Sequence, residues 1–279
     1  MSASEIVYLG PAGTFSNEIA RKRYAYNGRT FVSRDSVSEV CTYVAAKSSR
    51  KGIIPIDNSS GGTIYESVDA LLNQKLSLEI EEEISLDVKL AFLGRKGASI
   101  EKIYTHFAPK RHCKEWIEKN YPHAILIETS STAQAAAEAA RVDHAAAISN
   151  KMAARIYGMD VLEYPIPTSI DANMTHFFVV SKHSERAKRI AKTSLAVYLL
   201  NKPGSLYDFL RPLADARINL SRIVSRPIEG KPREFAFFID IDESIYRPTL
   251  SNALREASKH AATVRILGSY PCFRSYKSA

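Results

Sequence analysis

Two periods of apolar residues divide this chain. Over residues 1–181, short runs of aliphatic and β-branched residues alternate with longer stretches of helical period. Ile6–Leu9 and Gly52–Ile56 read as buried strands, each followed by a polar turn and an amphipathic run. Lys89–Leu93 and Lys102–Thr105 read as strands too, as do Ala124–Ile127 and Ala145–Ile148, which flank an Ala-rich helix at Thr132–Ala140. His176–Val180 closes the series. Strand alternating with helix predicts an α/β sheet covered on both faces. The stretch EIEEEISLDVKLAFL at 79–93 is where the chain is expected to cross into a second lobe. That gives one lobe of 1–78 with 165–181 and another of 79–164.

After a basic segment at 182–192, read as a solvated linker, the pattern changes. Thr193–Leu200 alternates as a strand, and Gly204–Ala216 buries one helical face through Leu206, Phe209, Leu210 and Leu213. Ile218–Val224 and Glu234–Ile241 read as strands joined by the turn-rich EGKP. Thr249–His260 is a second helix and Thr263–Leu267 a last strand. The order βαββαβ within 193–279 predicts a ferredoxin-like split-βαβ sandwich.

Composition narrows the class. With 279 residues, 45% hydrophobic and 24% charged, the chain suits two globular domains rather than a disordered or collagenous one. No apolar run reaches the roughly 20 residues needed to span a bilayer. The start, MSASEIVYLG, lacks the signals of an export leader, which predicts a cytoplasmic protein without a membrane partner. Cys41, Cys113 and Cys272 are too few and too scattered for a zinc cluster or a disulfide framework. The net charge of +8 comes from residues 182–192 and the C-terminal third, while residues 1–181 are close to neutral. Aromatic residues do not interleave with the basic segment as a stacking platform requires, so no nucleic-acid partner is expected.

Three segments of the first domain share a grammar of strand, small polar loop and helix start: Gly10–Ser16, Asn58–Thr63 and Thr129–Thr132. Each such loop serves as a helix cap or as a seat for a carboxylate or phosphate. Three in one α/β domain favour a small anionic ligand, because strand ends converge on one crevice. The glycine-rich loop matches neither the Walker nor the dinucleotide fingerprint, and no nucleotide or other cofactor is expected. His106 and His112 near Cys113 lack carboxylates at metal spacing, so no metal site is expected. The run Glu81–Glu83 reads as a solvated face rather than an acid pair.

Taken together, YLGPAGTFS (8–16), GIIPIDNSSGGTI (52–64), AAISNKMAARIYGM (146–159) and NMTHF (173–177) resemble prephenate dehydratases. KPGSLYDFL (202–210), INLSRIVSRP (218–227) and LGSYP (267–271) resemble the ACT regulatory domain fused to that family. The resemblance implies a two-lobed, periplasmic-binding-protein-like catalytic domain. It also implies conversion of prephenate to phenylpyruvate without a cofactor, in phenylalanine biosynthesis. It assigns the proton donor for the departing ring hydroxyl to Thr175. Thr14, Ser16, Asn58, Ser59, Gly62, Thr63, Ser131, Thr132, His176 and Phe177 are then expected to bind substrate. The ACT resemblance implies feedback by phenylalanine, held near Gly204, Ser205, Leu206, Asn219, Leu220, Ser225, Arg226 and Pro227. It further implies a homodimer or homotetramer.

Several positions depart from the family pattern. An Arg after the catalytic Thr is His176 here, a Glu before Asn-Ser is Asp57, and Ser-His-Pro-Gln reads Thr105, His106, Phe107, Ala108. Glu-Ser-Arg-Pro reads Val224, Ser225, Arg226, Pro227. These changes keep alternatives open: action on arogenate, decarboxylation of prephenate without aromatisation, or a catalytically silent ligand-binding and amino-acid-sensing protein. His176 is expected either to clamp a substrate carboxylate or to pack against its strand while another cation takes that role.

Overall fold

The computed structural model describes residues 5–25, 28–170, 172–183, 192–228, 230–272 and 274–278. The first lobe runs β1 (Glu5–Leu9), α1 (Phe15–Tyr24), β2 (Thr30–Arg34), α2 (Val37–Ala45), β3 (Arg50–Asn58), a short β4 (Gly62–Thr63), α3 (Tyr65–Leu72) and β5 (Glu79–Asp87). The second lobe follows with β6 (Ala91–Gly94), β7 (Lys102–His106), α4 (Phe107–His112), α5 (Lys114–Asn120), β8 (Ile125–Thr129), α6 (Thr132–Ala139), β9 (Ala145–Ser149), α7 (Lys151–Tyr157) and β10 (Asp160–Glu163). Strand β11 (Met174–Ser181) returns to the first lobe. The C-terminal domain contains β12 (Lys192–Tyr198), α8 (Ser205–Asp215), β13 (Leu220–Pro227), β14 (Phe235–Ile241), α9 (Pro248–Ala257) and β15 (Thr263–Tyr270), and β16 (Arg274–Lys277) follows it.

These strands form a first sheet in the order β16-β5-β11-β3-β1-β2 with β4 on β3, a second in the order β10-β6-β9-β7-β8, and a third in the order β13-β14-β12-β15. The third sheet is antiparallel throughout, as the ferredoxin-like reading requires. Helices α8 and α9 cover one of its faces through Phe209, Leu213, Leu250 and Leu254. Its other face, with Ala196, Phe238, Leu267 and Tyr270, packs on the first sheet.

The first sheet is therefore buried on both sides, and β11 shows how. Phe178 and Val180 join the core shared with the C-terminal domain. Phe177 and Val179 point the other way, into the core formed with Ile84, Leu86 and the second-lobe residues Phe92 and Trp116. A period of two in an apolar run builds a strand with two dry faces.

Four expectations are corrected. The lobe boundary lies after Asp87, not before Glu79, because β5 pairs along its length with β11, from Met174 opposite Asp87 to Ser181 opposite Glu79. The acidic run is not a solvated face: Glu82 is 7% and Glu83 3% exposed. Both are neutralised, Glu82 by Arg23 and Arg274, Glu83 by Lys192 and His176. The C-terminal domain does not keep residues 274–277, which leave it and pair in parallel with β5. Of the linker, 184–191 lie outside the described residues, and Lys192 already opens β12.

Gly268 explains one glycine of the LGSYP motif. A Cβ there would collide with the carbonyl oxygen of Ile80, so β15 and β5 approach at backbone contact across the two domains. Gly268→Ala should force them apart and cost about 1–3 kcal/mol, the usual range for overpacking. A urea midpoint equal to that of the parent chain would show that this approach is not needed for stability.

Candidate active site

The loop after β3 makes a densely hydrogen-bonded polar cluster. Asn58 Oδ1 accepts from the backbone N–H groups of Ser60 and Gly61, both at 3.0 Å, and from the Ser60 hydroxyl at 2.7 Å. Backbone N–H groups only donate, so these contacts fix which end of the carboxamide is oxygen. Its Nδ2 then donates to Thr175 Oγ1 at 2.9 Å and to Asn173 Oδ1 at 2.8 Å. Ser59 completes the tie: its hydroxyl donates to Ala172 O at 3.1 Å and accepts from Met174 N–H at 3.0 Å. Asn58 sits opposite Thr175 in the ladder of β3 and β11, so the pair is held by backbone as well as side chain.

The Thr175 hydroxyl is consequently a directed donor. Its oxygen accepts from Asn58, and no acceptor among the described residues takes its proton. An accepted hydrogen bond polarises the O–H and leaves the proton for a third group.

The other two loops are joined by the second lobe. Thr14 caps α1, accepting from Asn17 N–H at 3.2 Å and donating to Leu9 O at 2.9 Å. Gly13, at φ +92°, takes a backbone turn that side chains disfavour. Asn150 Nδ2 donates to Gly13 O at 2.9 Å and the Tyr157 hydroxyl to Ala12 O at 2.6 Å, so α7 clasps this loop. Ser131 caps α6, accepting from Gln134 N–H at 3.0 Å. Thr132 O accepts from the Ser149 hydroxyl at 2.8 Å. The adjacent Ser149 and Asn150 thus tie the third loop to the first. Arg111, on α4, donates to Ser60 O at 3.1 Å and so bridges from the second lobe to the Asn58 loop.

Not every expected residue joins this set. Phe177 is 1% exposed within the core and lines no surface. Ser16 is buried on α1. Gly62 and Thr63 form β4 against Asn58 and Asp57. His176 alternates away from Thr175: its Nδ1 lies 3.3 Å from Glu83 Oε1, towards the C-terminal domain. The structure thus points the imidazole away from Thr175 and pairs it with Glu83, while leaving the side chain 38% exposed. Arg111, Asn150 and Tyr157 were not singled out from the sequence, since a cation or amide in an ordinary helix carries no local mark. His112 is buried, and burial together with Arg111 lowers its pKa. Among the described residues no group of three His, Cys, Asp or Glu side chains is placed to hold a metal, and no helix is long and apolar enough to cross a membrane.

The expected effector segments do not meet within one chain. Gly204–Leu206 opens α8, at the sheet end where β13 finishes with Ser225–Pro227, whereas Asn219 and Leu220 start β13 at the opposite end. Arg226 and Pro227 border a cleft of about 720 Å³ beside α3. Across it, Arg226 donates to both carboxylate oxygens of Asp69 at 2.5 and 2.7 Å.

Behind the Asn58–Thr175 rung lies a cluster of buried charge. Glu83 receives Lys192 Nζ at 2.8 Å and His176 at 3.3 Å. Arg222 pairs with both Asp57 and Asp240. Asp240 also accepts from Ser194 at 2.5 Å. Burial pushes the Asp240 carboxyl up, to about 6, against the pull of Arg222 and Ser194. Burial likewise acts to raise Glu83, but the hydrogen bonds from His176 and Lys192 outweigh it and hold the carboxyl at about 2. The Glu83 contact raises the His176 pKa despite burial.

These shifts set a pH dependence of stability. Glu83, depressed in the fold, contributes fully above its unfolded pKa near 4.5 and loses that contribution as pH falls towards about 2. His176, raised in the fold, contributes below its unfolded pKa and loses that contribution as pH rises through the folded one. Between pH 6 and pH 2.5 the Glu83 part should amount to on the order of 3 kcal/mol. Glu83→Gln should flatten that acid limb in urea titrations; an undiminished limb would remove Glu83 as its source.

Comparison with known proteins agrees with this architecture. The prephenate dehydratase family model matches residues 6–185, and the ACT domain model matches residues 193–257. A bifunctional chorismate mutase/prephenate dehydratase of Stutzerimonas stutzeri is 31% identical over 95% of this chain and 73% of its own length. The crystal structure of the Arthrobacter aurescens prephenate dehydratase in complex with L-Phe superposes with a TM-score of 0.85 at 28% identity, covering 96% of this chain and 90% of the other. GqqA, described as a novel type of quorum quenching acylase, superposes with a TM-score of 0.84 at 25% identity, covering 96% of this chain and 97% of its own. With its catalytic-domain match spanning more than half of its length, this chain belongs to the prephenate dehydratase family and carries a C-terminal ACT domain.

Proposed function

We propose that this chain is a prephenate dehydratase acting in phenylalanine biosynthesis, and the Asn58–Thr175 hydrogen bond carries the reading. Prephenate takes up one proton and gives phenylpyruvate, carbon dioxide and water. The ring carboxylate leaves as carbon dioxide, and its bonding pair moves through the diene and expels the hydroxyl at the far ring carbon. Thr175 delivers the proton that lets this hydroxyl depart as water, and solvent returns a proton to the threonine. A threonine hydroxyl is a weak acid, but formation of the aromatic ring supplies driving force, so placement matters more than acidity.

The substrate carries two carboxylates, and Arg111 at the lip of the Asn58 loop is the cation best placed to meet one of them. Ser59, Ser131 and Thr132 offer loop and cap positions for the rest of the substrate, together with Thr14, Ser16, Gly62 and Thr63 in supporting roles. An acyl-transfer reading, which the likeness to GqqA raises, lacks support at the Thr175 hydroxyl. A nucleophile needs a base on its proton, whereas Asn58 presents a donor to its oxygen.

Regulation and assembly belong to the same reading. Strand β13 is an edge of its sheet, hydrogen-bonded among the described residues to β14 alone. Side-by-side antiparallel pairing of two β13 strands in a homodimer brings the Asn219 end of one against the Pro227 end of the other, assembling an effector site between subunits. A phenylalanine carboxylate arriving at Arg226 then competes with Asp69 for the guanidinium. The three free thiols suit a reducing, cytoplasmic setting.

Incubation with prephenate should yield phenylpyruvate, and Thr175→Ala should lower kcat at least about a hundredfold with unfolding unchanged, as loss of a general acid does. A variant with near-normal kcat would overturn the assignment. Turnover of arogenate instead, or a decarboxylated product that keeps its hydroxyl, would redirect the substrate reading. Arg111→Ala should raise KM roughly tenfold or more with a smaller change in kcat, as loss of a carboxylate contact made in both ground and transition states does. An unchanged KM would place the substrate carboxylate elsewhere. Calorimetry should detect phenylalanine binding that Arg226→Ala removes; no heat with the parent chain would mark an unregulated enzyme.

A further inference from the structure

We propose that Arg222, which belongs to the ACT domain, is a positioning residue for the Asn58–Thr175 pair, acting through Asp57. The proposal rests on the reading of Asn58 and Thr175 as the reacting site.

Adjacent residues on a strand face opposite ways, and two strands use that alternation at two consecutive rungs. On β3, Asn58 faces Thr175 while Asp57 turns towards the ACT domain. On β11, Thr175 faces Asn58 while His176 turns towards the ACT domain. The register pairs Asn58 with Thr175 and Asp57 with His176. Each of the two outward side chains is then tied to the ACT domain. The guanidinium of Arg222 pairs with Asp57 through one nitrogen and with Asp240 through another. His176 pairs with Glu83, whose second oxygen is held by Lys192 at 2.8 Å. One domain therefore holds from behind the two strands that carry the reacting pair.

Docking of the domains does not require these charges. The apolar contact of Phe178 with Phe238 and Tyr270, and the backbone approach at Gly268, already seat one sheet on the other. Buried ion pairs are a costly form of adhesion, and what they add is geometry. The Arg222 side chain is 13% exposed and Asp240 only 1%, so the guanidinium has little freedom to shift without leaving a carboxylate unpaired. Its planar fork fixes direction as well as distance. Asp57 is covalently the next residue to Asn58, and a small displacement of a positioned donor is enough to slow a reaction strongly. Arg222 also shares β13 with Ser225, Arg226 and Pro227, so a ligand that moves this strand moves the guanidinium.

The test uses the full chain with Arg222→Met, Arg222→Lys and Asp57→Asn, measured for kcat, KM and phenylalanine inhibition, and by hydrogen exchange of peptides spanning 55–63 and 173–178. Arg222→Met should lower kcat at least about tenfold while KM changes less than about threefold, and Arg222→Lys should recover part of the loss. Asp57→Asn should act in the same direction, and the double variant should be no slower than the worse single one, because both break one link. Inhibition by phenylalanine should weaken in Arg222→Met while phenylalanine binding persists. Exchange should quicken in both peptides. Wild-type kcat in Arg222→Met, or additive losses in the double variant, would overturn the positioning role. If Arg222→Met does not fold, Asp57→Asn carries the same expectations. If the parent chain does not turn over prephenate, that removes the substrate reading alone. Unchanged exchange at 55–63 and 173–178 then overturns the positioning role, and faster exchange supports it.

Discussion

The period of two along β3 and β11 is the constraint on which the molecule depends. Two neighbouring strands, carrying polar residues on opposite faces at two consecutive rungs, separate the proposed reacting pair from the ACT domain by the thickness of a sheet. Asn58 and Thr175 meet on one face, and Asp57 and His176 on the other. A slip of one residue would exchange the two sets, placing an acid beside an imidazole where the neutral amide and hydroxyl now sit. The apolar residues that follow guard against it. Phe177 and Val179 fill the core towards the second lobe, and Phe178 and Val180 fill the one towards the ACT domain. Burial on both faces makes the register expensive to change.

Electrostatics on the far face obey a different economy from that of the site. Asp57, Glu83 and Asp240 bring three acids towards Lys192, Arg222 and His176 in a region largely closed to water. None of these charges is cheap to bury, and each depends on its partner staying in place. Such a cluster responds sharply to small movements, because a separation that water would screen is felt strongly in a dry interface. The apolar contacts beside it are tolerant of such movements. A regulatory domain that held the catalytic sheet by hydrophobic packing alone would report little of what happens on its outer edge.

Much of this was legible in the sequence and some was not, for reasons that differ by residue. Strands such as Ala145–Ser149 announce themselves because every position is buried. Strands β2, β10 and β16 carry half-exposed or exposed residues and lie at sheet edges, so they lack an apolar period. Strand β5 misleads for the opposite reason: Glu82 and Glu83 are buried, and only partners that are distant in sequence make that tolerable. The three polar loops were visible as a grammar, yet their division of labour was not. Thr14 and Ser131 spend their side chains on helix N-termini, while Asn58 spends its own on Thr175. Thr175 itself came forward only through family resemblance, since a lone hydroxyl at a strand start has no local distinction. The direction of Asp57 is what a linear reading misses: β3 carries one extra residue, Ile56, between the partners of His176 and Phe177, so Asp57 does not follow the alternation set by Ile53 and Ile54.

Asn58 shows why an amide rather than an acid belongs at the centre. Its oxygen is saturated by two backbone N–H groups and a hydroxyl, which leaves Nδ2 as the only group it can offer across the ladder. A carboxylate of the same shape would satisfy those donors equally well, but it has no proton to give. It would accept the hydrogen of Thr175 and turn that hydroxyl into an acceptor for anything approaching, the reverse of what the proposed departure of a hydroxyl needs. On the proposed reading it would also place a negative charge beside a doubly anionic substrate. The carboxylate is found one residue earlier instead, at Asp57, where the pleat turns it to the opposite face and Arg222 neutralises it. Amide and acid are thus consecutive in sequence and opposed in space, and the strand geometry that separates them keeps the hydroxyl of Thr175 a donor.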